Sequence, residues 1–242
     1  MTTKTFEQTI YHKWTNSFGR TTETAYQSGT TIVPESKYED KKVIVLEYIG
    51  KHTFAQIDPF YFQGLNNLVK SLPEGTSISG IHIQDVWSKD SIQTHSHGKT
   101  YYLSAADLPP YLPPEPFSLR KLTTEDAEIM STLHDANSPE EVEEGYVEVT
   151  HQVAFGCFHN GQLVAAASGY ERTGFLDIGV LTHPNFRKKG LGKAVVGAIC
   201  NWANERHIIP QYRHDVINVS SQHVAESLNF KLYFQTEAFT FR

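Results

Sequence analysis

The sequence predicts a mixed α+β or α/β fold in its C-terminal half, preceded by a smaller α+β domain. Short apolar stretches typical of strands alternate with stretches whose apolar residues recur every three or four positions, which is the helical period. Five prolines in "DLPPYLPPEP", residues 107–116, interrupt both patterns, because proline neither continues a helix nor donates to a central sheet. We therefore predict an accessory domain at residues 1–106, a linker at 107–116 and a second domain at 117–242.

The composition is that of a globular chain with an acidic balance. Hydrophobic residues make up 39% of the 242 residues, charged residues make up 20%, and the formal net charge is −6. A general nucleic-acid binder would carry a basic excess, so we expect no nucleic-acid partner. No apolar run approaches the roughly 20 residues that cross a bilayer, and the N-terminus lacks a secretory pattern, so we expect a cytoplasmic chain with no membrane partner.

Neither the cysteines nor the paired histidines indicate a disulfide or a metal site. Cys157 and Cys200 lie among apolar residues of predicted elements, and we interpret both as core residues. His95 and His97, in "THSHGK", have no cysteine or acidic residue nearby, and we interpret this segment as a solvated loop. We therefore predict that the chain binds no metal.

In the first domain, three elements follow from the pattern, and the first forty residues resist assignment. The stretches "KKVIVLEYI" and "HTFAQI" predict strands. The stretch "DPFYFQGLNNLVKSL" predicts a helix, with Asp58 as the N-cap and Pro59 in the first turn. Nothing in this half indicates a particular chemistry.

The second domain begins with one strand and two helices. "FSLRKLT" predicts the strand, and "TTEDAEIMSTLHD" predicts a helix whose acidic first turn suits the positive end of the helix dipole. In "SPEEVEEGYVEV", Ser138 and Glu141 form a capping box, which predicts the start of the second helix.

Three strands follow these helices. "HQVAFGCFHNGQLVAAASGYE" predicts a hairpin, because the dipeptide Asn160-Gly161 supplies the positive φ angles of a tight turn. "FLDIGVLT" predicts the third strand after a short turn.

The remaining stretch of the chain predicts two helices and the strands between and after them. The first helix has an apolar stripe formed by Leu191, Ala194, Val195, Ala198, Ile199 and Trp202. Then come a strand in "QYRHDVI", a helix in "SSQHVAESLNF" and an extended pair in "KLYFQTEAFTF". The predicted order of the domain is therefore β, α, α, β, β, β, α, β, α, β, with room for one more strand.

The segment "HPNFRKKGLGKA", residues 183–194, links the third strand of this series to the next helix. A strand, a short glycine-containing loop and a helix direct successive backbone N–H groups and the positive helix end at one point, which favours an anion. Gly190 and Gly192 would let a phosphate approach the backbone, and the basic side chains would add charge around it. A solvated basic helix start is the alternative reading. The spacing fits neither a nucleotide-triphosphate loop nor a dinucleotide-binding loop.

The hexapeptide "RKKGLG", preceded by Pro184 and an apolar strand, resembles the R/Q-x-x-G-x-G/A signature of the GNAT superfamily of acyl-CoA-dependent N-acyltransferases. "NVSSQHVAESLNF" resembles a later segment of that superfamily. The resemblance covers about residues 117–242 and implies a mixed, mostly antiparallel central sheet flanked by helices. It is closest to two-domain bacterial members, and it leaves open that the first domain is a degenerate copy of the same fold.

The resemblance implies acetyl-CoA as co-substrate and assigns residues to it. The loop residues that would hold the pyrophosphate or add charge around it are Arg187, Lys188, Lys189, Gly190, Leu191, Gly192 and Lys193. The preceding strand would part from its neighbour, so that the backbone of Val180, Leu181 and Thr182 pairs with the pantetheine arm. Asn218 and Ser221 would face the coenzyme from the other side.

Direct acyl transfer requires a base for the amine, a donor for the oxyanion and a proton for the thiolate. Our candidates for the base are Asp177 and then Glu171, and an N–H group of Leu181 or Thr182 could serve the oxyanion.

The sequence indicates the proton donor and the acceptor entrance less clearly than it indicates the base and the oxyanion donor. Many relatives place a tyrosine seven residues after the asparagine, where this chain has Ala225, so Tyr233, His223 or water would have to protonate the thiolate. Glu144, Tyr146 and Glu148 could line the acceptor entrance, although we favour a water-facing helix surface.

The sequence thus predicts an acetyl-CoA-dependent N-acetyltransferase that acts on the primary amine of a small or amino-acid-like acceptor. A non-catalytic acyl-CoA sensor or scaffold is the alternative, since the tyrosine is absent and the first domain is unexplained. A longer acyl group or an oxygen acceptor is also open, because fold fixes the coenzyme site better than the acceptor. The first domain could cover the acceptor cleft or mediate a homodimer.

Overall fold

The computed structural model describes residues 3–87, 91–110 and 112–242, so Tyr111 of the predicted linker lies outside the described residues. Within them the α-helices are α1 (Thr3–Ser17), α2 (Phe62–Ser71), α3 (Gly80–Val86), α4 (Ala127–Asp135), α5 (Pro139–Gly145), α6 (Leu191–Asn204) and α7 (Val219–Ser227). The strands are β1 (Gly29–Pro34), β2 (Val43–Ile49), β3 (His52–Ile57), β4 (Ile92–Tyr102), β5 (Ser118–Lys121), β6 (Val153–His159), β7 (Gln162–Arg172), β8 (Phe175–Thr182), β9 (Pro210–Asp215) and β10 (Lys231–Phe241).

One compact unit contains the described residues of Met1–Thr100 together with His214–Ile217 and Leu232–Arg242. Its strands are ordered β1, β3, β2, β10, β4. β2 is antiparallel to β3 and to β10, while β1 is parallel to β3. Residues of α2 and α3 pack on the apolar face of these strands.

The sequence predicted the central elements of this unit and missed its outer ones. β2 and β3 are confirmed. Asp58 caps a short 3₁₀ turn, Pro59–Tyr61, by accepting a hydrogen bond from the N–H group of Phe60, and the predicted helix, α2, begins only at Phe62. The interpretation of "THSHGK" as a loop was wrong, because it lies within β4, where His95 and His97 are both exposed. The helix α1 and the strand β1 had not been assigned.

The other compact unit contains the described residues of Tyr101–Arg213 and Asn218–Lys231. Its strands are ordered β9, β8, β7, β6, β5, antiparallel from β5 to β8 and parallel between β8 and β9. α6 packs on one face of this sheet through its apolar stripe, and both cysteines lie in that core. The α4 helix packs on β7.

The predicted order of elements from residue 117 onwards is confirmed, with two corrections. The second helix, α5, ends at Gly145, because Tyr146 adopts a left-handed conformation with φ 42°. The predicted extended pair in "KLYFQTEAFTF" is the single strand β10, since it pairs with β2 without interruption from residue 234 to residue 240. The hairpin turn is as predicted, with φ 50° at Asn160 and 81° at Gly161.

The division of the chain at residues 107–116 into two separately folding domains stays a prediction. Each compact unit contains more than one segment of chain, and the end of the chain contributes β10 to the unit of its first hundred residues. Among the described residues, no helix is long and apolar enough to span a membrane.

Candidate active site

The two parallel strands β8 and β9 part after a short paired stretch. Their register joins Leu176 to Pro210, Asp177 to Gln211 and Ile178 to Tyr212, and within the described residues it continues no further. On its other edge, β8 remains paired with β7 as far as Thr182. Residues 179–182 of β8 therefore do not pair with β9 on the edge that faces away from β7. The resemblance implied such a separation of neighbouring strands.

The three residues predicted to hold the pantetheine arm do not all direct their backbone N–H and C=O groups to the same edge of β8. Backbone groups of alternate residues point to opposite edges of a strand. His183 donates to Val164 on the β7 side, and Leu176 donates to Ile209 on the β9 side. By this alternation Leu181 points towards β7, whereas Val180 and Thr182 point to the open edge. The alternation therefore favours Val180 and Thr182 over Leu181 as backbone donors to the pantetheine arm, and the assignment of all three residues stays a prediction.

The loop after β8 turns sharply into the start of α6, and the backbone geometry there is suited to an anion. Gly190, the N-cap, has φ 75°, and Lys188 has φ 62°, so the loop turns sharply twice before the helix begins. No side chain caps the helix at Gly190. The N–H groups of Leu191 and Gly192 lie in the first turn, where N–H groups have no acceptor within the helix. This arrangement is suited to a phosphate.

Gly192 lies against side chains of β8 and α7, and protein packing does not require a glycine there. A Cβ at this position would lie 3.6 Å from Thr182 Oγ1 and 3.7 Å from Cγ2 of both Val180 and Val224, which are ordinary contacts. The protein alone would therefore accept alanine here.

Arg187, by contrast, is already engaged within the protein. Its Nη2 donates to Asn137 Oδ1 at 2.9 Å and lies 2.8 Å from the carboxylate of Glu141, and its Nε lies 3.3 Å from the carbonyl oxygen of Thr182. Arg187 therefore joins the loop to α5. Lys188 and Lys189 are exposed, and the Lys189 ammonium lies 5.2 Å from the centre of the Phe186 ring.

The residues predicted on the far side of the coenzyme lie at the start of α7. The Asn218 side chain caps the helix by accepting from the N–H group of Ser221 at 3.0 Å, and its amide nitrogen lies 3.3 Å from Glu144 Oε2. Ser221 is half-buried. Ala225 is completely buried, and His223 is exposed. The described part of α7 thus places no tyrosine where many relatives have one.

A cavity of about 210 Å³ opens where β8 and β9 part. Residues of α5 and its C-terminal turn, of β7, of β8 and of β9 contribute to its walls, namely Glu143, Glu144, Gly145, Tyr146, Tyr170, Asp177, Ile178, Gly179 and Arg213. Glu144 and Tyr146 are exposed residues that also line the pocket, whereas Glu148 does not line it. Three carboxylates and one guanidinium give the walls an acidic balance.

Asp177 lines this pocket but is tied to its neighbours. Its side chain is only 4% exposed, and its Oδ2 accepts from Arg213 Nη2 at 2.6 Å, from Arg213 Nε at 2.8 Å and from the Tyr170 hydroxyl at 2.9 Å. Burial lowers the pKa of the Arg213 guanidinium, but the Asp177 carboxylate outweighs it, and the net direction is upward. The arrangement holds Arg213 charged and fixed at the pocket wall.

The other two residues predicted for catalysis lie in different surroundings. Glu171 lies at the end of β7, where its carboxylate accepts from the N–H group of Gly174 at 2.6 Å and closes the turn to β8. It neighbours Tyr170 along the strand, so its side chain leaves the opposite face of the sheet. Tyr233 belongs to the unit of the N-terminal residues, where its ring packs edge-to-face on Phe6 at 6.0 Å. Their catalytic roles stay predictions.

The close approach of α5 to β8 depends on Gly179. A Cβ on Gly179 would collide with the backbone carbonyl oxygens of Gly145 and Tyr146. We expect Gly179→Ala to lower the free energy of unfolding by about 3 kcal/mol, because backbone atoms cannot move aside as side chains do. Thermal and urea unfolding measure this loss. Gly192→Ala is the matched control and should unfold like the native chain, and equal stability of the two variants would contradict the expectation.

Sequence reasoning missed Arg213, Tyr170 and His151. Arg213 stands in a predicted strand without a local signal, since its partner Asp177 is 36 positions away. The sequence pattern places His151 at the first position of a predicted strand, whereas in the structure it lies before β6 and contacts Tyr146 and Tyr170. Only the tertiary fold brings these side chains together. Among the described residues, no group of three or more histidine, cysteine, aspartate or glutamate side chains could hold a metal ion.

Comparisons with known proteins agree with this geometry. A family model described as GNAT acetyltransferase matches residues 121–239. The chain is similar to the solved structure of an acetyltransferase from the GNAT family of Colwellia psychrerythraea, with 18% identity, a TM-score of 0.53 and coverage of 78% of this chain and 76% of that one. It is also similar to a GCN5-related N-acetyltransferase from Sphaerobacter thermophilus, with 10% identity, a TM-score of 0.54 and coverage of 78% and 71%. No curated protein sequence matches the chain significantly.

Proposed function

We propose that this chain, which carries a GNAT acetyltransferase domain over residues 121–239, transfers the acetyl group of acetyl-CoA to the primary amine of a small molecule or an amino-acid-like acceptor. The family match supports an acyltransferase, and acetyl-CoA is the donor that this family uses. The identity of the donor in this chain, the attack by nitrogen and the class of acceptor are the proposal. We include in it a cytoplasmic location and the lack of a nucleic-acid partner.

One observation carries this proposal. Strands β8 and β9 part at Ile178, and the pocket opens at that point, while the start of α6 lies directly beyond the free end of β8. A phosphate at the N–H groups of Leu191 and Gly192 would place an extended thiol arm along Thr182 and Val180 towards the pocket. An acceptor in the pocket would then meet the thioester at the parting of the strands.

The chemistry follows from the groups along this path. A backbone N–H group on the open edge, at Val180 or Thr182, could donate to the oxygen of the tetrahedral intermediate, a contribution of about 3 kcal/mol in comparable sites. The carboxylates of Glu143 and Glu144 at the pocket favour an amine that arrives as an ammonium ion. The amine attacks the thioester carbonyl, the C–S bond breaks, and the thiolate takes a proton from solvent.

The test combines binding with turnover. Calorimetric titration with acetyl-CoA measures coenzyme binding, and release of free thiol measures transfer to ethanolamine, putrescine, 2-phenylethylamine and glycinamide. We expect binding together with thiol release that depends on one of these amines, and mass spectrometry should find its N-acetyl product. Absence of acetyl-CoA binding would overturn the assignment of the loop.

A non-catalytic acyl-CoA sensor is the second candidate, and Ala225 favours it. The buried methyl group of Ala225 cannot protonate a leaving thiolate as the tyrosine of many relatives would. Tight acetyl-CoA binding without thiol release on any amine would select this function.

A further inference from the structure

We propose that His151 accepts the proton of the acceptor's ammonium group, directly or through one water, and so frees the amine for attack. The inference rests on the proposed function and assigns the base of that reaction. It arises from a half-buried histidine held beside the pocket, between two of the residues that form its wall.

Three rings meet at one wall of the pocket. The centre of the His151 ring lies 4.9 Å from that of Tyr146 and 5.0 Å from that of Tyr170, and the two tyrosine rings lie 5.1 Å apart at 90°. Both tyrosines line the pocket. The imidazole is therefore no more than one side chain away from the acceptor.

Ser168 fixes the orientation of the imidazole. The Nδ1 atom of His151 lies 2.8 Å from the hydroxyl of Ser168, which is completely buried and also accepts from the N–H group of Glu148 at 3.0 Å. Ser168 stands two residues before Tyr170 on β7, so both side chains leave the same face of the sheet. A buried anchor at Nδ1 leaves Nε2 as the nitrogen that can exchange a proton.

Nε2 has no hydrogen-bond partner among the described residues. It is also not one of the buried polar atoms that lack a partner, so it retains contact with solvent. A histidine with one nitrogen anchored and the other open is the arrangement expected of a base that works through water.

Burial, and not the charges around the ring, favours the neutral form of His151. Burial lowers the pKa of His151, and the Glu148 carboxylate on its own segment opposes that shift. From β7 the ring faces Tyr170, behind which stand Asp177 on β8 and Arg213 on β9, paired with each other. α5 contributes the carboxylates of Glu143 and Glu144 to the same pocket.

Asp177 and Glu171 are less suited to this task. Three donors already converge on Asp177 Oδ2, and two of them come from Arg213. The carboxylate of Glu171 closes the β7–β8 turn on the other face of the sheet. His151 is thus the pocket-side base whose proton-accepting atom is open.

The proton balance is simple. One proton passes from the ammonium nitrogen to His151 Nε2, which gives a neutral amine and an imidazolium. The amine lone pair forms the C–N bond, the C–S bond breaks, and the sulfur leaves with its electron pair. The amide nitrogen gives up its extra proton to water as the thiolate gains one from solvent, and the imidazolium also releases its proton to water, so that one proton is released in total.

The test compares His151→Asn with the native chain at pH 7 and pH 9, using the amine of the four that the native chain acetylates fastest. At pH 7 we expect kcat to fall about 100-fold, the usual contribution of a positioned base. At pH 9 the difference should shrink below about tenfold, because solvent deprotonates more of the amine. The native kcat should fall only as pH drops through the lowered pKa of His151.

Two further variants separate catalysis from structure. His207→Asn replaces an exposed histidine of the same unit at a left-handed position, φ 57°, that asparagine tolerates, and it should retain native kcat. Ser168→Ala should lose less activity than His151→Asn, with the same recovery at pH 9. An equal loss at both pH values, or no loss, would overturn the role of His151. Absence of turnover by the native chain on every amine would overturn the proposed function and this inference with it.

Discussion

Replacing Gly190 with glutamate is expected to weaken acetyl-CoA binding at least 100-fold, about 2.7 kcal/mol. The glutamate would place a carboxylate at the start of α6, where we propose that the N–H groups of Leu191 and Gly192 hold a phosphate. Repulsion between the two anions then replaces attraction. The helix itself should persist, because a negative side chain near an N-terminus favours the helix dipole.

A matched variant separates this effect from backbone strain. Gly161, at the β6–β7 turn, has φ 81°, close to the 75° of Gly190, and a Cβ there would meet no atom within 4 Å. Gly161→Glu therefore introduces the same charge and the same left-handed strain away from the loop. Calorimetry should find native affinity for acetyl-CoA in Gly161→Glu and at least 100-fold weaker binding in Gly190→Glu. Native affinity in Gly190→Glu would mean that the loop does not hold the coenzyme.

The elements that the sequence predicted well are those with strong local signals. The Asn160-Gly161 turn and the capping box of Ser138 and Glu141 both depend on residues that are adjacent or three apart, and both are present. β10 was mistaken for a pair because its partner, β2, lies almost 190 positions earlier in the chain. Helix α5 ended early because Tyr146 takes a left-handed conformation that tyrosine rarely favours. The pattern of residue types along the sequence indicates neither long-range strand pairing nor local backbone strain.

The candidate site likewise has one part that is formed by neighbouring residues in the sequence and another that is formed by distant ones. The proposed coenzyme loop is continuous in sequence, so a motif could indicate it, and it lies between a strand and a helix as expected. The proposed acceptor pocket joins α5, β7, β8 and β9, and its charged pair, Asp177 and Arg213, comes from two different strands. The sequence therefore indicated the donor side of the reaction in more detail than the acceptor side.

Asp177→Asn is expected to lower kcat about tenfold or more while leaving acetyl-CoA affinity at the native value. The carboxamide cannot balance the Arg213 guanidinium, which would lose its two charge-assisted bonds to Oδ2 and its fixed place at the pocket wall. Removing one partner of a buried pair costs 3–5 kcal/mol, and since the Arg213 side chain is 37% exposed we expect about 2 kcal/mol of lost stability.

A second variant and a pH series decide what Asp177 does. Asp177→Leu combined with Arg213→Met removes both charges and should regain most of the stability, because apolar side chains of similar volume replace the pair. Turnover should stay low in the double variant, because the polar pocket wall formed by Asp177 and Arg213 would no longer be present to position the acceptor. In Asp177→Asn the loss of kcat should be equal at pH 7 and pH 9, because the residue positions Arg213 and takes no proton. A loss that disappears at pH 9 would identify Asp177 as the base and remove that role from His151.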